Sequence, residues 1–297
     1  MKNNPPSSDS PNNLVGDTKM QRPALPDFFE PPVVEVSLSL QFEPLRNLQT
    51  PHLGIFWSDI RHQFPFAEEQ PPIPPAVEVL GPPPHAESSM RVEVLRIPPV
   101  NRCWFMNAGR SELLQVQRDR FIANWRKHSQ QDQYPRYERV RDIFLTGLQR
   151  FQEFVKREEL GTIVPNQCEV TYVNRIVAGK GWEKAGELGN VVTVWSQQYS
   201  DEFLSQPEDV RFNIKYSMVN DDGQQVGRLH ISLEPKLSAE DNTLIFIMVL
   251  TARGKPEGEG IEGALRFFDR GRKYIVRGFT SITTPRMHEI WRRRDRR

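Results

Sequence analysis

Val34, Val36, Leu38, Leu40 and Phe42 alternate with Glu35, Ser37, Ser39 and Gln41. A period of two puts every second side chain on one face, so this stretch reads as a half-buried strand. Residues 53–64 read as a short helix. Residues 90–97, 102–106 and 111–121 read as further strands. The last two are joined by Asn107-Ala108-Gly109-Arg110, a hairpin turn with glycine available for a positive φ. The clearest helix follows, over residues 135–159, with Val140, Ile143, Phe144, Leu148, Phe151, Phe154 and Val155 spaced by three and four. Proline is tolerated in its first turn, and Gly161 stands where a C-terminal cap belongs.

The second half repeats the pattern. Strands are predicted over residues 168–177, 191–198, 211–219, 227–235 and 243–253, with Asp221-Asp222-Gly223 as a hairpin turn. Residues 244–250 are continuously apolar, which suits a central strand. A long helix over residues 261–281 carries Leu265, Phe268, Ile275, Val276 and Phe279 on one face. Thr284-Pro285 reads as the cap and first position of a short terminal helix. Strand runs closed by one long amphipathic helix define an α+β class built on antiparallel sheet. Two similar lobes are expected, residues 31–161 and 162–291, with a helix-grip arrangement of helix across sheet as the alternative.

Proline sharpens this map. The 25 prolines concentrate in a lead-in, expected to be disordered through residue 30, and in a loop over residues 65–84. Pro71-Pro72-Ile73-Pro74-Pro75 and Pro82-Pro83-Pro84 exclude helix there, because proline fixes its own φ and restricts its predecessor. The tract is either a ligand for an SH3-like partner or, the reading preferred, a semi-rigid extended connection.

Charge divides unevenly. The 297 residues carry a net charge of +1, yet the stretch after residue 250 sums to +7 and the rest to −6. Arg292, Arg293, Arg294, Arg296 and Arg297 form a basic tail suited to non-specific phosphate contact or to an acidic protein surface. No apolar run is long enough to span a membrane, and the first 32 residues lack the apolar core of a secretory signal. A cytoplasmic protein with two buried free thiols, Cys103 and Cys168, is expected.

The search for chemistry is largely exclusion. The six histidines and two cysteines show no metal-ligand spacing, and neither a nucleophile elbow nor a phosphate loop is present. No cofactor is therefore expected. Gly258-Glu259-Gly260-Ile261-Glu262-Gly263 spells the dinucleotide pattern between a strand and a helix. Glu257, Glu259 and Glu262 would set negative charge where a pyrophosphate must sit, so it reads as a loop entering a helix. Two polar segments stand out: Gln115, Gln117, Asp119, Asn124 and Trp125, and then Glu169, Tyr172 and Asn174. Alternation would direct Gln115, Gln117 and Asp119 to one face, where amides and carboxylates would orient a polar ligand. The plainer account is a solvated face with cross-strand pairs such as Arg118 with Glu169.

The opening strand from Pro31 to Leu45, LQVQRDRFIANW from Leu114, Tyr134-Pro135-Arg136-Tyr137 and Tyr172-Val173-Asn174 recur in an order that resembles a sporadically distributed family of uncharacterised bacterial and archaeal proteins. That resemblance implies a prokaryotic cytoplasmic protein with an accessory role beside mobile or defence loci, and it carries over no catalytic residue. The expectation is a non-catalytic binding module with a protein partner. The alternatives are a helix-grip pocket that binds or hydrolyses a small ligand, and a nucleic-acid accessory acting through the basic tail.

Overall fold

The computed structural model describes residues 24–81, 101–196, 203 and 207–294. The elements run β1 (Asp27–Phe28), β2 (Val33–Phe42), α1 (Thr50–Ile60), β3 (Phe66–Gln70), β4 (Arg102–Met106), β5 (Glu112–Gln117), β6 (Arg120–Arg126), α2 (Tyr137–Arg157) and β7 (Pro165–Val177). After a short 3-10 turn at Ala185–Asn190 come β8 (Phe212–Val219), β9 (Gln225–Leu237), β10 (Leu244–Gly254), α3 (Gly260–Ile282), α4 (Pro285–Ile290) and β11 (Arg293–Arg294).

Nine strands form one antiparallel sheet in the order β3-β4-β5-β6-β2-β7-β10-β9-β8. The fold is α+β, as the periodicities require. The two sheet-and-helix halves join edge to edge where β2 pairs with β7. In each half the opening strand pairs with the last strand before the long helix, β2 with β6 and β7 with β10.

Cross-strand register divides the sheet into two unlike faces. Val116, Phe121, Leu40 and Cys168 lie opposite one another in a row, as do Leu114, Ala123, Leu38 and Val170. All are buried beneath the helices. One residue along, Gln117, Arg120, Gln41 and Gln167 make a polar row on the other face. Residues directly opposite share a face, so one register sets both surfaces.

Both long helices lie on the apolar face. From α2, Phe144 and Phe151 pack on Phe121 at 5.7 and 5.6 Å between ring centres, and Phe144 meets Phe268 of α3 edge-on at 5.0 Å. The helices approach the sheet closely at glycine. A Cβ on Gly147 would sit 2.9 Å from Leu114, and one on Gly271 would sit 3.0 Å from Ala252. The end of the domain is sealed by Phe28, buried against Phe279, His288 and Trp291 at 5.7, 5.5 and 6.1 Å. Thr284 caps α4 by accepting from the Met287 amide.

Several expectations need correction. Residues 24–30, assigned to the lead-in, belong to the fold, because β1 pairs with β11. The loop expected over residues 65–84 contains the edge strand β3, and its last three prolines lie outside the described residues. The strand expected over residues 90–97 also lies outside them. The stretch 111–121 is two strands, with Arg118-Asp119 turning between β5 and β6. Residues 191–196 are not strand: Val191 and Val192 are buried, and Val192 makes a single bridge to Thr283. In the Asn107–Arg110 turn it is Arg110, not the glycine, that takes the positive φ, at 55°.

The glycine contacts are testable by urea unfolding. Gly147→Val and Gly271→Val should each cost about 1–3 kcal/mol through overpacking. Gly54, inside α1 with nothing within 4 Å of its Cβ position, should accept alanine with a gain of about 0.5–1 kcal/mol. Wild-type stability in both valine variants would disprove the close approach.

Candidate functional site

Among the described residues, no helix lies on the polar face of the sheet. Across it runs the chain's own proline-rich segment, residues 71–81, and glutamine side chains hold that segment by its backbone. Gln117 is bidentate: its Oε1 accepts from the Ile73 amide and its Nε2 donates to the Ile73 carbonyl, both at 2.9 Å. The Ala76 amide donates to Gln41 at 3.0 Å, the Glu78 amide to Gln167 at 2.8 Å, and the Gly81 amide to Gln225 at 3.1 Å. Arg120 donates to the Pro74 carbonyl at 3.2 Å and to Gln41 Oε1 at 2.6 Å. The local sequence explains the fit. Proline tracts are extended and make no internal hydrogen bonds, so their remaining amides and carbonyls are open to outside partners.

Glu78 anchors the far end. Its carboxylate receives Arg228 at 2.7 Å on one oxygen and lies 2.7 Å from His230 Nε2 on the other. Arg228 also donates to the Val79 and Gly81 carbonyls. Burial alone would raise the Glu78 pKa, but the hydrogen bonds and charges of Arg228 and His230 outweigh it and hold the group below its ordinary value of 4.5. The side chain is 8% exposed, so the pair is poorly screened.

The candidates from the first polar segment fall mostly on this face. Gln115 accepts from Arg102 at 2.6 Å and from Trp104 at 2.9 Å, and donates to Asn124 at 2.7 Å. Asn124 in turn donates to Glu35 at 2.6 Å. Burial raises the Glu35 pKa despite that bond. Asp119 is not on the strand face with Gln115 and Gln117: it sits in the β5–β6 turn and accepts from Gln117 Nε2 at 2.6 Å. The Nε atoms of Arg102 and Arg120 are buried without a hydrogen-bond partner.

The second polar segment is divided between the faces. Glu169 lies on the strap side, paired with Arg253 at 2.6 Å; Arg118, its expected partner, instead donates to the Leu48 carbonyl. Tyr172 and Asn174 point the opposite way, toward the helices, as does Trp125, which packs on Tyr134 at 5.5 Å. There the Tyr134 and Tyr172 hydroxyls meet at 3.0 Å, and Asn174 donates to the Met248 carbonyl at 3.2 Å. A cavity of about 420 Å³ opens beside them, walled by Leu250, Ile275, Val276 and Phe279.

The other candidates do not assemble chemistry. Cys168, a strand cysteine that a histidine such as His230 could activate as a nucleophile, lies on the helix face while His230 lies on the strap face, so the two do not meet. Both thiols are free, and burial pushes Cys103 up to about 11 and Cys168 higher. Among the described residues no cluster of metal-ligating side chains occurs, and no helix is long and apolar enough to cross a membrane. The glycine pattern closes on itself: the Glu257 amide donates to the Gly263 carbonyl, and Arg270 pairs with Glu257 at 2.6 Å. Of the basic tail, Arg292 pairs with Glu30 at 2.9 Å, and Arg293 and Arg294 form β11; Arg296 and Arg297 lie outside the described residues.

The sequence pattern places none of Gln41, Gln167, Gln225, Arg228 and Glu78 in a site, and offers His230 only as a partner for Cys168. Gln41 was visible as a polar position of an alternating strand. What joins these residues is contact across as many as 152 positions, which no local pattern records. No protein-family model matches the chain, and no curated protein does either.

A lowered Glu78 pKa means its contribution to holding the strap is present above 4.5 and lost as pH falls through the depressed value. The amide resonances of Ile73, Ala76 and Glu78 should shift toward extended-coil positions on acidification below 4.5. Glu78→Gln should weaken the strap at neutral pH by about 1.5–3 kcal/mol, the range for a hydrogen bond to a charged group. Acid-insensitive resonances would show that the carboxylate does not hold the segment.

Proposed function

We propose that this protein is a non-catalytic binding module that takes an extended, proline-containing polypeptide segment across the polar face of its sheet. One observation carries the reading: four glutamine side chains hydrogen-bond the main chain of residues 73–81, and one of them, Gln117, does so bidentately. Main-chain contacts of that kind recognise conformation more than sequence. The Arg228–His230 pair around Glu78 adds one position that selects an acid. In this reading the strap is an intramolecular occupant of a surface that also receives a partner protein. A partner segment competes with it, because both need the same amides.

The reading is tested with a fluorescent peptide of residues 71–81 and the full chain, by anisotropy. The peptide should bind Glu78→Ala protein at least tenfold more tightly than wild type, because the variant's own strap is loosened. Adding Gln117→Met and Gln167→Met should remove that binding. A peptide that binds neither protein, or binds regardless of the glutamines, defeats the proposal.

A further inference from the structure

The cavity on the helix side of the sheet lies on the opposite face from the strap, and its chemistry is independent of it. We propose that it is a binding site for a small, uncharged amphipathic molecule, with a hydroxyl-type head against Tyr134 and Tyr172 and an apolar body against Leu250, Ile275 and Phe279.

Three features carry this. The first is space with an apolar wall. About 420 Å³ stands open on a face that is elsewhere filled by interlocking aromatic rings, and it is bounded by Leu250 of β10 and by Ile275, Val276 and Phe279 of α3. That volume suits a small organic molecule rather than one or two waters.

The second is an incomplete hydrogen-bond set. The Tyr134 and Tyr172 hydroxyls share one contact at 3.0 Å. Only one proton can lie between two oxygens. The accepting hydroxyl therefore still has its own proton to donate, and the donating one still has lone pairs. Burial pushes the Tyr172 pKa up to about 12 and that of Tyr134 well above its ordinary value, so both hydroxyls stay protonated at neutral pH. Together they offer a donor and an acceptor side by side, the complement of a hydroxyl.

The third is charge balance at the mouth. Two cations and two anions line it, already matched: Arg136 with Asp27 at 2.7 Å, and Arg272 with Glu138 at 2.6 Å. A carboxylate or ammonium head would have to displace one of these partners to be neutralised. A neutral head would not. The N-terminal segment supplies one wall, held down by the Arg136 bond to Asp27 and by Phe28 packing under Trp291. Two of the sequence segments singled out above thus send Tyr134 and Arg136, and Tyr172 and Asn174, to one cavity.

The probe is para-butylphenol, titrated into the full chain by calorimetry, with butylbenzene and para-butylbenzoate as comparisons. The phenol should bind saturably and at least fivefold more tightly than either. Val276→Trp, which fills the cavity, should abolish binding. Tyr172→Phe, which keeps the ring and removes the hydroxyl, should weaken the phenol about fivefold and leave butylbenzene unchanged. Thermal melts of both variants establish that they are folded. The site is refuted by absence of saturable phenol binding to wild-type protein, by binding that survives Val276→Trp, or by benzoate binding more tightly than phenol.

Discussion

The register of the β2–β7 pair is the constraint on which the rest depends. Leu40 faces Cys168 and Leu38 faces Val170, so the apolar sets of both halves fall on one side; Gln41 faces Gln167, so the polar sets fall on the other. A slip by one residue would exchange the two faces, burying glutamine under α2 and α3 and exposing leucine. Each amide buried without a partner costs on the order of 1–3 kcal/mol. The seam therefore does more than join two halves. It forces nine strands to agree on a single inside, and two long helices to share it.

The opposite face then poses a problem that no helix can solve. Gln41, Gln115, Gln117, Asn124 and Gln167 are all nearly buried, and each needs hydrogen-bond partners. A helix spends its backbone groups internally and could offer only side chains. An extended proline-rich segment offers its main chain, which is what Ile73, Ala76, Glu78 and Gly81 supply. Proline composition and glutamine-lined sheet are thus two halves of one solution. The prolines keep the segment from folding on itself, and the glutamines satisfy the groups left open.

Much of the fold was legible because it is written in local periodicity. The period-two run of β2 and the three-and-four spacing of α2 and α3 matched their elements to within a few residues. The errors came where tertiary contact overrode local preference. Arg118-Asp119 lacks the glycine or asparagine that usually marks a two-residue turn, so the sequence pattern runs on as one strand where two exist. Val191 and Val192 have strand propensity, yet both are buried next to the end of α3, where Val192 meets Thr283 outside the sheet. For the site, parity was decisive. Glu169 and Tyr172 are three apart on one strand and must face opposite ways, so a candidate group containing both could never be one site.

That same parity bears on whether the two faces communicate. β7 contributes Gln167 and Glu169 to the strap side, and Tyr172 and Asn174 to the cavity. Coupling between two sites needs an element with two arrangements that each ligand biases differently. β7 is hydrogen-bonded to β2 on one side and β10 on the other along most of its length. A strand clamped on both edges cannot rotate or slide to trade one face for the other. The covers of the two faces are the strap itself and the N-terminal segment over the cavity, and they lie on opposite sides of the sheet. Binding on the two faces should therefore be additive in free energy, each governed by its own cover rather than by the strand they share.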